Sequence, residues 1–411
     1  MSHTRIVLAL MLTYAVFAML LNSVGTVILQ SIHTLGVATD SAKFLEAFKD
    51  LPIAIVSFLV ASLLPRLGYR RSMMLGLGLV AVACVAMPLM KSFWTTKVLF
   101  ATVGCSFALV KVSVYSSIGL VTTDRQAHAS LTNMIEGVFM VGVLSSYWLF
   151  SAFIDPADPA STNWMHVYWV LAATCVATIA LLATSPLDES EARLEHDTPG
   201  AAVAAMFTLL ARPLVYLFIL SAFLYVLIEQ SIGTWLPTFN SEILKLPNAM
   251  SVQAASIYAA ALALGRLAAG FVLHRVSWYA LLNVCVIAMG ALVLLTLPLA
   301  AGVVHDPNIG WLRAPVAAFL FPLIGFFMGP IYPALNSVML SALPKNRHAA
   351  MTGLIVVFSA LGGTTGSMIT GFAFGRIGGA GAFYLSLVPM AAIVVSLFLF
   401  KRHNERVVAI A

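Results

Sequence analysis

Residues 98–121 read VLFATVGCSFALVKVSVYSSIGLV, an apolar run in which Lys111 is the only charged side chain. At 1.5 Å of rise per residue such a run forms a helix of about 36 Å, longer than the roughly 30 Å hydrocarbon core of a bilayer. An unanswered ammonium at that depth costs about 2.5 to 3.5 kcal/mol on insertion scales. Lys111 is therefore predicted to face a partner or a water-filled cavity, and the chain is read as helical bundles built around such a cavity.

The rest of the chain agrees in composition. Of its 411 residues 61% are hydrophobic and 9% charged, where an average soluble domain has roughly 25% charged. Apolar stretches of spanning length fall at about 6–30, 44–64, 72–90, 97–121, 130–154, 165–184, 214–238, 250–273, 279–303, 314–341, 350–374 and 380–400. Arg5 precedes the first of these as in a signal peptide, but that run is long and no small-x-small site closes it, so it is predicted to stay as the first span. Cys84, Cys105, Cys175 and Cys285 each fall inside a span without ligand spacing and read as apolar filler. The net charge of +6 comes from basic residues scattered at span ends, not from a patch interleaved with aromatics, so nucleic acid is not a predicted partner.

Those basic residues report orientation. With both termini in the cytoplasm, the inner loops and tails hold Arg5, Arg66, Arg70, Arg71, Arg125, Arg193, Arg212, Arg275, Lys345, Arg347, Lys401, Arg402 and Arg406. The outer loops hold only Lys43, Lys91, Lys97, Lys245, Arg313 and Arg376. The excess follows the positive-inside rule and favours an even number of spans in a bacterial-type inner membrane.

An internal repeat divides the chain. The second span ends ASLLPRLGYRR (61–71) and the eighth GFVLHRVSWYA (270–280), each with an arginine, Arg66 or Arg275, five positions after a small residue. HASLTN (128–133) before the fifth span is echoed by HAAMTG (348–353) before the eleventh. Two echoes in the same order indicate a six-span unit used twice. The long hydrophilic stretch at 185–205 is the predicted cytoplasmic linker, joining a bundle at 1–184 to one at 206–411. The fold class is thus an all-α membrane protein, with twelve transmembrane helices in two pseudo-symmetric six-helix bundles.

With these residues the chain resembles the major facilitator superfamily, which has twelve spans in two halves and the loop signature G-x-x-x-D-R-x-G-x-[RK] after the second span. Arg66, Gly68 and Arg70 match it; Ala61 stands for the glycine and Pro65 for the aspartate, which removes the usual charge pairing of that loop. In the eighth span Gly270 matches and His274 takes the acidic place. The resemblance implies a gating role for Arg66, Arg70 and Arg275. FLYVLIEQSIGTWLP (223–237) and IYPALNS (331–337) are similar to the seventh and tenth spans of the fucose, galactose and glucose proton symporters. Where sugar-transporting relatives carry acids in the first and fourth spans, this chain has Gly25 and Lys111, so their proton chemistry does not transfer directly.

The remaining charges at membrane depth need a reason. Glu46, Lys49 and Asp50 at i, i+3 and i+4 share one helix face and can neutralise each other. Counting back from the inner end of the second span puts Asp50 about 20 Å up. The triad reads either as a partly hydrated ion-pair network at the outer mouth or as an outer gate and proton entry site. Lys111 lies about 15 Å from the inner face and Glu136 about 9 Å, an offset a lysine stem can bridge, so the two are predicted to pair, functionally or as a static salt bridge. Glu229 in the seventh span is the first candidate for a proton carrier, with a helix-packing acid as the alternative. Arg266, about 10 Å from the inner face among Ala263, Gly265 and Gly270, reads as a snorkelling or inner-gate residue ahead of a substrate contact.

The tenth span holds Pro322, Gly325, Gly329, Pro330 and Pro333, and is predicted to bend or break, as helices that border transporter binding sites do. Gly362, Gly366, Gly371 and Gly375 in the eleventh predict close helix packing. In the superfamily, spans 1, 4, 7 and 10 line a central cavity. Here they offer Asn22, Gln30, Lys111, Tyr115, Tyr225, Glu229, Gln230, Trp235, Tyr332 and Asn336, a set suited to a small polyhydroxylated or amphoteric solute, with Lys111 favouring a carboxylate.

Function is bounded accordingly. The first expectation is a monomeric, proton-coupled importer of a small polar, sugar-like or carboxylate-bearing solute, with no cofactor and with protons and the lipid bilayer as its partners. The alternative is a proton-driven exporter of a drug, siderophore or metabolite, although 137–152 lacks the glycine-proline motif of drug antiporters. A membrane enzyme is disfavoured because the histidines lie at span ends and loops and neither H-E-x-x-H nor G-x-S-x-G occurs. A sensor is disfavoured for want of a soluble output domain.

Overall fold

The computed structural model describes residues 2–122, 125–189, 208–210, 212–273, 275–304, 306, 309–341 and 348–410. It is helical: α1 (Ser2–Asn22), α2 (Val24–Leu35), α3 (Thr39–Ala42), α4 (Leu45–Leu67), α5 (Tyr69–Met90), α6 (Phe93–Val121), α7 (Arg125–Ser151), α8 (Val167–Thr184), α9 (Pro213–Glu242), α10 (Asn248–Val272), α11 (Trp278–Thr296), α12 (Ala317–Leu320), α13 (Ile324–Met328), α14 (Ile331–Ser341), α15 (His348–Tyr384) and α16 (Leu387–Ile410). Among the described residues ten segments are long and apolar enough to cross a membrane. The other two predicted spans, the second and the twelfth, fall on α4 and α16. Most of the linker, from residue 190 to 205, lies outside the described residues, as do His274 and the side chain of Arg66.

Several boundaries differ from the sequence reading for local reasons. The fifth span begins at Arg125 instead of 130, because a polar first turn continues the helix beyond its apolar window. The predicted loop after residue 374 is helix as far as Tyr384, kinked at Gly378, whose φ of 77° a side chain would resist. The first span is two helices: Asn22 Nδ2 donates to Ala18 O at 2.9 Å and Ser23 Oγ to Leu20 O at 2.8 Å. Side chains that engage their own helix's carbonyls loosen the ladder there, so the break needs neither proline nor glycine.

The chain forms two compact units. The first comprises Met1–Val37 and Leu45–Ala202, the second Ala38–Phe44 and Val203–Ala411. In the first, α1 packs on α6, α7 and α8, α4 on α6, and α5 on α6 and α8. In the second, α9 is the central element, packed on α10, α15 and α16, while α10 packs on α13. A side chain at Gly362 or Gly366 would run into the Phe223 or Leu227 carbonyl, and one at Gly329 into α10 at Leu262 and Arg266. These glycines let backbones touch, as the sequence predicts for the eleventh span. The tenth span is broken as predicted, into α12, a 3-10 turn at Phe321–Leu323, α13, and α14 after Gly329 and Pro330.

Ala38–Phe44, assigned by sequence to the first bundle, belongs with the second unit. Its short helix α3 lies on α15. Lys43 pairs with Asp40 at 2.7 Å and sits 4.8 Å over the ring of Phe372, which also stacks on Arg376 at 4.0 Å. The Lys43 hydrogen bond and charge hold the Asp40 carboxyl below the usual carboxylate range, with Arg376 acting in the same direction. A carboxyl depressed in the folded state contributes stability above its unfolded value and loses it as pH falls through the folded one. Backbone hydrogen exchange of residues 38–44, corrected for intrinsic rate, is therefore expected to stay constant from about pH 7 to 5 and to rise only below about pH 4. Asp40→Asn should remove that acid step. A second expectation is steric: Gly366→Val should abolish a monodisperse profile in size-exclusion chromatography, because overpacking against a backbone carbonyl has no side chain to yield.

Candidate functional site

Each unit carries a polar and aromatic cluster at membrane depth. In the first, α6 and α7 are antiparallel neighbours in sequence. Lys111 lies ten residues before the end of α6 and Glu136 eleven residues after the start of α7. Both are therefore about 15 to 17 Å from the inner helix ends. The earlier start of α7 removes the offset that the sequence predicts.

The carboxylate is nevertheless answered by hydroxyls. Tyr115 Oη donates to Glu136 Oε1 in a short contact, and Tyr14 Oη approaches the same oxygen at 3.5 Å. Lys111 lies within the electrostatic reach of Glu136, but no ion pair under 4 Å joins them among the described residues. Its ammonium sits 5.8 Å over the Phe107 ring. Tyr14 also packs against Phe107, Tyr115 and Phe139, with ring centroids 6.1, 6.2 and 4.9 Å apart. The result is a half-open aromatic frame around one cation and one hydrogen-bonded carboxylate. Tyr14, absent from the predicted lining, is an aromatic with a hydroxyl inside the first span, and that signal could have found it.

Further out on α4 lies the charged triad. Lys49 Nζ contacts Glu46 Oε1 closely, Asp50 Oδ1 at 3.5 Å and the Leu21 carbonyl at 3.4 Å. The Glu46 side chain is 0% exposed, that of Lys49 6% and that of Asp50 10%. The partly hydrated network at the outer mouth that sequence position suggests is therefore replaced by a dry one, closed over by neighbouring helices.

In the second unit, α9, α10, α14 and α15 bring together Tyr225, Glu229, Arg266, Tyr332, Asn336 and Ser359. Arg266 Nη2 lies 3.6 Å from Glu229 Oε1, and both side chains are partly open to solvent. Arg266, read from sequence as an inner-gate residue, thus pairs with the candidate proton carrier. It can reach because α13 and its C-terminal cap press on α10 through Gly325 and Gly329. Tyr225 stacks on Tyr332 with centroids 5.5 Å apart and planes at 25°, and its hydroxyl lies beside Glu229 and Arg266. The Tyr332 hydroxyl shares a 3.2 Å hydrogen bond with Ser359 Oγ. Asn336 Oδ1 is buried without a donor among the described residues. Tyr258 Oη donates to the Glu229 carbonyl at 3.3 Å; neither Tyr258 nor Ser359 stood out in the sequence.

Other predicted site residues are engaged elsewhere. Trp235 is fully buried, donates its indole N–H to Ser367 O at 2.9 Å and stacks on Phe374, so its hydrogen-bonding capacity is spent on packing. Asn22 bonds within its own helix, and Gln230 Oε1 accepts from Thr234 Oγ1 at 3.1 Å. Gln30 is buried, with Nε2 lacking an acceptor among the described residues. Arg275 is exposed. Arg70 meets the start of the linker: its backbone N–H donates to Glu189 Oε1 at 2.7 Å and its guanidinium to Ser185 O at 3.0 Å. A linker carboxylate thereby caps α5, just beyond the end of α4, where Pro65 stands in place of the expected aspartate.

Solved structures share this architecture. A D-xylose-proton symporter matches with a TM-score of 0.73 at 13% identity, covering 97% of each chain. The nucleoside transporter NupG matches at 0.71 and 15% identity, covering 96% of this chain and 98% of that one. The transporter FucP in its outward conformation matches at 0.64 and 13% identity, covering 97% of this chain and 99% of that one. These likenesses concern the fold. In sequence, Bypass of stop codon protein 6 of Saccharomyces cerevisiae is 30% identical over 195 residues, 47% of this chain and 37% of that protein, so the match spans little more than a third of the yeast protein. The Major Facilitator Superfamily model matches residues 6–367, nearly the whole chain, and with two helical units of this kind the chain belongs to that superfamily of membrane transporters.

Proposed function

We propose that the protein is a proton-coupled importer of a small polar solute bearing a carboxylate, working by alternating access as a monomer in a bacterial-type inner membrane with both termini cytoplasmic. The observation that carries the substrate class is the Lys111 site. A cation is held at mid-depth of a 29-residue helix, while the carboxylate nearest in charge, Glu136, is occupied by two tyrosine hydroxyls. An ammonium over an aromatic face gains only about 0.5 to 2 kcal/mol from the ring, less than an anionic partner supplies in such a site. A solute carboxylate can fill that role, and the aromatic frame of Tyr14, Phe107 and Tyr115 suits a compact organic body.

The proton reading is supported by the second unit. Glu229 and Arg266 neutralise each other while partly exposed, so a proton reaching Glu229 releases the guanidinium beside the Tyr225 hydroxyl. Such a pair has two arrangements separated by one proton, which is what coupling a gradient to a conformational step requires.

A thermal-shift screen of purified protein against sugars, organic acids and siderophores at two pH values tests the class: the stabilising compounds are expected to carry a carboxylate. Lys111→Gln should raise the KM for uptake of that compound at least about tenfold, the equivalent of roughly 1.4 kcal/mol, while Lys111→Arg retains binding. Stabilisation by neutral sugars alone would refute the carboxylate reading. In proteoliposomes with an imposed pH gradient, wild type should accumulate the solute and Glu229→Gln should not. Accumulation by Glu229→Gln would reduce that residue to a helix-packing acid, and gradient-driven efflux in place of uptake would reverse the assigned direction.

A further inference from the structure

The cluster of the first unit is built on a stripe of α6. Phe107, Lys111 and Tyr115 recur every fourth residue and so share one face of that helix. Tyr14 of α1 packs on the two aromatic members of the stripe and on Phe139 of α7, which shares a face with Glu136 three residues before it. Tyr14 and Phe107 are buried, whereas Lys111, Tyr115 and Glu136 are each half-buried. The two charges and one phenol are therefore the parts of the cluster that a solute can reach, and the other rings form the base beneath them.

Opposite charges so placed would ordinarily join. Lys111 and Glu136 lie within electrostatic reach of each other, and a lysine stem is flexible enough to close a short gap. Among the described residues they form no ion pair. Both tyrosine hydroxyls bond to Glu136 Oε1, and the ammonium stays 5.8 Å from the centre of the Phe107 ring. What can enter follows from this separation. A solute with a carboxylate alone would satisfy Lys111 while bringing a second negative charge into the field of Glu136, and like charges at such range repel. An amine alone meets the same difficulty at Lys111. A solute with both ends gives each protein charge its own partner and leaves the site neutral, and its cationic nitrogen can also lie against the half-buried ring of Tyr115.

We propose that the solute is a zwitterion, an α-amino acid or betaine whose carboxylate meets Lys111 and whose cationic nitrogen meets Glu136, and that Tyr14 and Tyr115 are positioning residues that keep the two protein charges from closing on each other. This deepens the carboxylate reading above and rests on it for the role of Lys111. Tyr115 has the closer hold on Glu136 Oε1 and Tyr14 the looser one, at 3.5 Å. Without the Tyr115 hydroxyl the carboxylate turns to the ammonium, and the site satisfies itself before a solute arrives.

Thermal shift of purified wild-type protein, with compounds compared in sets, reads the class without any variant. Each set holds a zwitterion, either an α-amino acid or a betaine, together with the acid that lacks its nitrogen and the amide made from its carboxyl group. Zwitterions are expected to stabilise the protein, with each partner compound binding at least about tenfold more weakly. Nitrogen-free acids that bind as tightly as their zwitterions overturn the proposal and leave the Lys111 carboxylate reading standing, whereas binding by neutral sugars alone overturns both. A panel in which no zwitterion stabilises also overturns the proposal. Glu136→Gln should weaken the zwitterion at least about tenfold and leave the nitrogen-free acid unchanged or tighter; an equal loss for both compounds counts against the assigned contact. Tyr115→Phe should weaken both compounds, and combining it with Glu136→Gln should bring the acid back to its level in Glu136→Gln alone. A Tyr115→Phe protein that binds like wild type, or a double variant no better than Tyr115→Phe, overturns the positioning role.

Discussion

Hydrocarbon does not tolerate an unanswered charge, and the polar organisation of this protein follows from that constraint. Every ionisable side chain described at membrane depth has been given a companion: a guanidinium for Glu229, two phenols for Glu136, an aromatic face for Lys111, an ammonium for Glu46 and Asp50. None of these arrangements is the most stable way to fill a helix junction. Apolar side chains of the same size pack at least as well, so retaining ions there costs stability that a purely structural bundle would have no reason to give up. Charge at depth is best explained by something that moves through or past it.

Much of the fold was legible because membrane spans obey a coarse rule. Length and hydropathy locate them, and the prolines and glycines between Pro322 and Pro333 announce the broken tenth span. The repeated arginine after a small residue, with the paired HASLTN and HAAMTG turns, announces duplication. What failed to show was finer. The interruption at Ser23 arises from short polar side chains engaging their own helix's carbonyls, a habit that serine and asparagine often have without breaking a helix. Segment 38–44 reads as an ordinary outer loop, since nothing in its own residues names Phe372 and Arg376 as its neighbours.

The site was legible as a set of residues but not as a set of pairs. Glu229, Tyr225, Tyr332 and Asn336 stand out as polar groups in apolar spans, and they do come together. Their connection to Arg266 depends on how closely two helices approach, which is set by glycines on the facing helices and not by the arginine's own surroundings. Lys111 and Glu136 are expected from sequence to pair, yet they share only electrostatic reach, and the hydroxyls of Tyr14 and Tyr115 hold the carboxylate instead. Trp235 shows the opposite error: an aromatic with a polar handle looks like a binding residue until its indole N–H is found bonded to Ser367. Sequence reveals which groups demand an answer; only geometry shows which answer was chosen.

The attachment of Ala38–Phe44 to α15 has a consequence for biogenesis. On the ribosome, Lys43 emerges about 330 residues before Phe372, which at typical synthesis rates is an interval of tens of seconds. Throughout that time the first two spans are already in the membrane, while the ring that Lys43 will cover has not been translated. The early spans must therefore be held by insertion machinery or by lipid with this segment undocked, and its docking becomes one of the last events of assembly, a seal placed only after the chain is nearly complete.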